Sequence, residues 1–167
     1  MPAGLKQSSA TVSIGFSVPE SGANTFTQSS VDLNLSPLDR EVFVVTAINI
    51  DPQSPDLGAG LSATTCSLTT TSQDALATLG DANCLAVAQQ RIVADATRAV
   101  AFQQQSLETP PTTSDYIGII ATNDFFVQIE GAGNTNAKGC SGKVYGYRAV
   151  ANADIYAALV QSEVLSA

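Results

Sequence analysis

Apolar and polar residues alternate with a period of two along much of this chain, the pattern of half-buried β-strands. Residues 11–18 set Val12, Ile14, Phe16 and Val18 on one face with small polar partners between them, and Pro19 ends the run. Residues 25–35 bring Val31, Leu33 and Leu35 to one face before the break at Ser36 and Pro37. Residues 41–50 form the strongest β-forming stretch and are apolar on both faces from Val42 to Val45. A strand of that kind belongs inside a sheet covered on two sides, at the centre of the core. A Pro/Gly loop over 51–60 and a Ser/Thr-rich strand over 61–71, built around Cys66 and Leu68, follow it.

The next segment, 72–90, fits two readings by pattern. Ser72 offers an N-cap ahead of helix formers, which predicts a short helix near 73–79, interrupted by Gly80 and Asp81. Residues 91–102 read as one strand and 109–114 as a loop. Residues 116–121 and 125–130 are two strands separated by Thr122, Asn123 and Asp124, a spacing that predicts a hairpin. A Gly-rich loop over 131–139 precedes the last strand, 143–150. A C-terminal helix near 153–164 then places Ile155, Leu159 and Ser162 on one face, capped by Asn152 or Asp154. The sum is an all-β chain of about seven or eight strands: an antiparallel β-sandwich or single jelly roll, because an α/β sheet needs a helix between most strands. The expected organisation is an extended N-terminal segment, 1–10, and one domain over 11–167.

Composition narrows the chemistry. The 167 residues include no histidine and no tryptophan, and 13% are charged. Histidine is the commonest general acid/base near neutral pH and a frequent metal ligand, so its absence moves the expectation away from an enzyme. Fifteen acidic residues against seven basic ones give a net charge of −8, and Lys6, Arg40, Arg91, Arg98, Lys138, Lys143 and Arg148 are scattered. Phosphate neutralisation needs clustered positive charge, so no direct nucleic-acid binding is expected. No apolar run approaches the ~18 residues of a membrane span. Residues 1–9 lack the charged and apolar regions of a secretory signal, so the chain is expected to stay in the cytoplasm where it is made. Cys66, Cys84 and Cys140 form no CxxC pair and read as buried or half-buried thiols.

Each candidate site has a plainer alternative. The loop from Asp51 to Asp56 carries hard oxygen ligands but lacks the spacing of a calcium loop, and reads as a solvated turn. Asp115, Asp124 and Glu130 are candidate acids for glycoside hydrolysis, which needs two carboxyls about 5–9.5 Å apart; they read better as solubilising residues at strand ends. The 131–139 loop has phosphate-loop composition, but Gly139 follows Lys138 where Ser or Thr is required, so it reads as a hairpin loop. Tyr145 and Tyr147 share a strand face and could stack a base or sugar, though core or rim packing is the commoner use. There is no G-x-S-x-G elbow, and a Ser-His-Asp triad is impossible. No catalytic, cofactor-binding or metal-ligating residue is assigned.

Strand density, the stretch from Asp124 to Gly131, and the stretch from Lys143 to Ala149 leading into residues 152–163 give the chain its resemblance to small single jelly-roll capsid proteins of tailless icosahedral viruses. The resemblance implies a self-assembling virion shell subunit, assembled in a host cytoplasm, with itself and other virion proteins as partners and no reaction to run. It also implies contacts through residues 1–10 and the C-terminal helix. The chain departs from one capsid pattern, having no Arg/Lys-rich N-terminal arm. Two other functions fit the residues: a non-viral filament or surface-layer subunit, and a carbohydrate-binding β-sandwich module.

Overall fold

The computed structural model describes residues 1–167. In chain order the elements are β1 (Leu5–Gln7), β2 (Val12–Pro19), β3 (Thr27–Asp32), β4 (Glu41–Pro52), β5 (Gly60–Thr69), β6 (Cys84–Ala94), β7 (Ala99–Gln104), β8 (Ser106–Glu108), β9 (Gly118–Ile120), β10 (Asp124–Ala132), β11 (Gly139–Ala151) and α1 (Ala153–Leu165).

The antiparallel pairs are nested: β2 with β11, β3 with β10, β4 with β8 and β9, and β5 with β6. Further pairing of β4 with β11 and of β5 with β10 folds this long ribbon into two sheets. One sheet runs β2, β11, β4, then β8 and β9 end to end; the other runs β3, β10, β5, β6, β7. Eight strand positions wrapped in this way make a jelly roll. The residues of β1 extend the first sheet beside the end of β11, and β7 extends the second beyond β6.

Alternation decides what lies between the sheets. Phe16, Val18, Phe43, Val45, Ile48, Ile50 and Val144 point in from the first sheet, and Cys66, Leu68, Ala86, Ala88, Phe125, Val127 and Ile129 from the second. Phe16 and Phe125 meet edge to face across the layers, 6.1 Å between ring centroids. A second, smaller core lies on the far side of the first sheet, where Val42, Val44, Tyr147, Ala149 and Ala151 are covered by Ile155, Tyr156, Leu159 and Val160 of α1. The double covering expected for residues 41–50 is therefore real, with α1 as the second cover.

One local device makes this arrangement possible. The register of β4 and β11 shifts between Tyr145 and Gly146, leaving Thr46 as an extra residue, so Val45 and Ile48 both face inward although three positions apart. Gly146 sits at the bulge, where a Cβ would run into the Val44 carbonyl and the Phe43 ring.

Four expectations from the sequence change. Residues 73–79 form no helix. Their backbone donors go to side chains instead, Gln73 N–H to Gln28 Oε1, Ala77 N–H to Ser67 Oγ and Thr78 N–H to Asp81 Oδ2, so the segment lies as a lid over the outer face of β5 and β10. A seven-residue helix is too short to outcompete those tertiary partners. Residues 91–102 are not one strand but the facing arms of β6 and β7, turned at Asp95, whose Oδ1 accepts from the N–H groups of Thr97 and Arg98. Residues 116–130 are not a hairpin: β9 pairs with β4 and β10 with β5 and β3, so residues 121–123 cross from one sheet to the other. Finally, eleven strands replace the expected seven or eight, because the three-residue pairings of β1 and β8 leave no readable period and the turn at Asp95 divides one expected strand in two.

Candidate functional site

The two loops singled out by sequence, 51–56 and 131–139, are brought together at one end of the sandwich. Asp56 accepts hydrogen bonds from Thr135 N–H (3.0 Å) and Asn136 N–H (2.9 Å) and pairs with Lys138 Nζ at 2.5 Å. Lys138 first, then these backbone donors, hold the Asp56 carboxyl down from its ordinary 3.8 to about 2. Glu20, buried beneath, accepts from Gly131 N–H (2.6 Å), Lys138 N–H (2.7 Å) and Thr25 N–H (3.1 Å). Asn134 completes the set, donating from Nδ2 to the Ala63 carbonyl and accepting at Oδ1 from Asp56 N–H. Asp56 is thus an anchor rather than the terminus of a solvated turn. The N–H groups that a phosphate loop would offer are taken by the carboxylates of Glu20 and Asp56 and the amide oxygens of Asn24 and Gln53, and Lys138 is buried against Asp56, so the cluster acts as a clasp.

The other sequence candidates stay apart. Asp115 accepts from the N-terminal ammonium group (2.6 Å), which lowers its pKa. Asp124 and Glu130 occupy opposite ends of β10, six residues and about 20 Å apart. That is far beyond the carboxyl spacing of a glycosidase. Tyr147 lies in the small core under α1, where burial raises its pKa, while Tyr145 is 36% exposed further along the same face. Cys66 and Cys140 are buried between the sheets and Cys84 is half-buried, all three free. The neighbouring Cys140 thiol and then burial push the Cys66 thiol upward, and burial does the same for Cys84. Neither is an activated nucleophile.

Two features escaped the sequence reading. Glu163, on α1, is buried and accepts from Ala121 N–H (2.8 Å) and the Thr122 hydroxyl, fastening the helix to the crossing between β9 and β10. Burial raises its pKa against the opposing pull of these donors. Helical spacing pointed to Ser162; the polar Glu163 took the inward place because buried donors waited there.

The second feature is a surface. On the outer face of the second sheet, Leu61, Val93 and Val100 stand in register on three neighbouring strands, each about half exposed. Phe102, 50% exposed, lies one pair further on, with the Arg91 guanidinium 5.2 Å from its ring centre. The lid, formed by residues 70–83, covers only the other half of this face. The signal in the sequence was the Asp95–Thr97 turn with apolar alternation on both sides, which the reading of a single strand concealed. The N-terminal segment and α1, by contrast, are packed on their own chain through β1 and the small core.

Fold and surface together define an all-β jelly-roll sandwich with a partly bare outer sheet. The chain matches no protein-family model and no curated protein. Among solved structures it aligns over 92% of its length with 95% of a chain from Desmodium yellow mottle tymovirus, at 10% identity and a TM-score of 0.33. It also aligns over 88% of its length with 99% of a chain from turnip yellow mosaic virus, at 10% identity and a TM-score of 0.30. Likeness this loose carries no argument; the fold rests on the strand pairing described above.

Proposed function

We propose that this chain is a structural, self-assembling protein and serves as a subunit of a virion shell, with no reaction of its own. The nested eight-position wrapping carries the proposal, because the jelly roll is a recurrent building block of virus shells. The fold also serves lectin and cupin domains, so the inference is one of fold-level analogy. What favours a shell here is the apolar row of Leu61, Val93, Val100 and Phe102, more than an isolated surface residue explains. Three of the seven basic side chains are engaged within the chain, Lys138 with Asp56, Arg148 with the Leu33 carbonyl and Arg91 on Phe102, and the exposed remainder are scattered along the sequence, which supports contact with protein rather than with nucleic acid. The partner is then another copy of this chain, with other virion proteins beside it, and the place of action is the particle.

Size-exclusion chromatography with light scattering, followed by negative-stain imaging, tests this reading. Closed particles, or defined oligomers that build them, are expected. A monodisperse 17.2 kDa monomer at high micromolar concentration would overturn it, and glycan binding by that monomer would identify the carbohydrate-binding alternative.

A further inference from the structure

We infer that β7 is a self-pairing edge: two copies of this chain join β7 to β7, antiparallel about a twofold axis at Ala101, so that their five-stranded sheets become one. The inference deepens the shell-subunit reading, and rests on it for the expectation that the chain assembles with itself.

The geometry begins with an unprotected edge. β7 pairs with β6 alone, and all six of its residues are exposed. Asp95 N–H donates to the Arg98 carbonyl, which makes 95 and 98 a hydrogen-bonded pair of the antiparallel ladder. Alternation from that pair turns Arg98, Val100, Phe102 and Gln104 toward β6 and leaves the N–H and C=O groups of Ala99, Ala101 and Gln103 pointing away from the sheet. Exposed edges are normally blunted by proline, lysine or a bulge. The sequence Ala-Val-Ala-Phe-Gln-Gln has none of these and no charge, whereas β2 contains Gly15 and ends in Pro19, and β3 ends in Asp32.

A second copy fits this edge for two reasons. Setting Ala101 opposite Ala101 of the partner subunit also sets Ala99 against Gln103 of the partner subunit, and these outward pairs make about six inter-chain backbone hydrogen bonds. The same register places Phe102 directly opposite Val100 of the partner subunit on the outer face, and Val100 opposite Phe102 of the partner subunit. Both are aromatic–β-branched pairs of the kind that stabilise sheets. Arg98 meets Gln104 of the partner subunit, so no like charges face each other. The second reason is charge: residues 84–104 contain Arg91 and Arg98 against Asp95, one surplus positive charge on a chain of net −8. Two copies therefore approach by this ribbon without the acidic repulsion that the net charge would otherwise impose. The contact is smaller than the ~1,000 Å² of a stable isolated interface, which suits a subunit making several contacts at once.

Two variants test the pairing. Ala101→Pro removes the central outward N–H while leaving the β6 ladder intact, since Ala101 gives β6 no hydrogen bond. Ala101→Cys sets two thiols at a hydrogen-bonded antiparallel pair, about 5.5 Å between Cα atoms and within reach of a disulfide. The expected result is that the wild type exceeds the 17.2 kDa monomer mass in solution, that Ala101→Pro lowers its assembly state with an unchanged far-UV circular dichroism spectrum, and that Ala101→Cys forms a covalent dimer with oxidised glutathione. Should Ala101→Pro fail to fold, the cysteine variant decides alone, and absence of its covalent dimer overturns the pairing. Particles that survive Ala101→Pro unchanged overturn the pairing but leave the shell reading standing. Dimers sensitive to Ala101→Pro that never build particles sustain the pairing and overturn the shell reading. A wild type that remains monomeric, or that pairs through β7 only with a different protein, overturns the inference.

Discussion

At the scale of single residues, three carboxylates hold connections that the strands cannot. Asp56 closes the 131–139 loop, Glu20 supports it from beneath, and Glu163 receives the crossing between the sheets. Asp56 gives this arrangement a pH signature. Its carboxyl titrates at about 2 in the folded chain against an ordinary 3.8, so as pH falls the unfolded chain takes up the proton first. The contribution of Asp56 to stability is therefore complete above about pH 4 and drains away as pH falls toward 2. Comparing thermal midpoints of the wild type and Asp56→Ala should show a clear gap at pH 6 that narrows by pH 2. A gap unchanged across that range would remove the Asp56–Lys138 pair as its source. None of this was legible beforehand. The sequence displayed Asp56 and Lys138 as residues of two separate loops 82 positions apart, and only the wrapping of the chain makes them neighbours.

At the scale of elements, what could be read depended on how local the determining forces are. The C-terminal helix was legible because its cap is local: Asn152 Oδ1 accepts from Ile155 N–H. The helix expected at 73–79 had a similar local cue and failed, since Ser67, Gln28 and Asp81 capture its donors from outside or beyond the segment. Attachment of α1 likewise depends on a distant partner. Replacing Glu163 by alanine leaves the buried Ala121 N–H without an acceptor and reduces the Thr122 hydroxyl to its longer bond with the Asp124 carbonyl, at a cost of about 1–3 kcal/mol. Hydrogen exchange should then accelerate first in residues 153–165 and at 121–122, while the sheets keep their protection. Glu163→Gln, which preserves one acceptor, should lose less. Uniform acceleration throughout the chain would show instead that α1 is inseparable from the sandwich.

At the scale of the whole molecule, both sheets share one core, and the jelly roll is expected to unfold as one body. Cys66 on β5 and Cys140 on β11 report on it from opposite layers, whereas half-buried Cys84 lies near the lid. Under native conditions a neutral alkylating reagent should modify Cys84 well before the other two. Cys66 and Cys140 should become reactive together, at the denaturant concentration that unfolds the sheets. Modification of one core thiol without the other would mean that the layers separate independently. The same scale governs function: the row from Leu61 to Val100 exists as a surface only because β5 and the β6–β7 ribbon, separated along the chain by the lid, lie side by side.

By itself the sequence determined the class of the protein. Period-two alternation in 11–18 and 143–150 and the β-branched run of 41–50 require strands, their apolar faces require a second layer, and the short range of those forces makes them visible in a linear chain. Tertiary structure alone decided which strands face each other. The bulge at Thr46 and Gly146 moved β4 from one core-facing parity to the other, residues 121–123 crossed between sheets instead of turning back, and Asp95 folded one apparent strand into the ribbon that exposes β7. Pairing is settled by the burial and hydrogen bonding of residues far apart along the chain, and the local period contains no record of the partner.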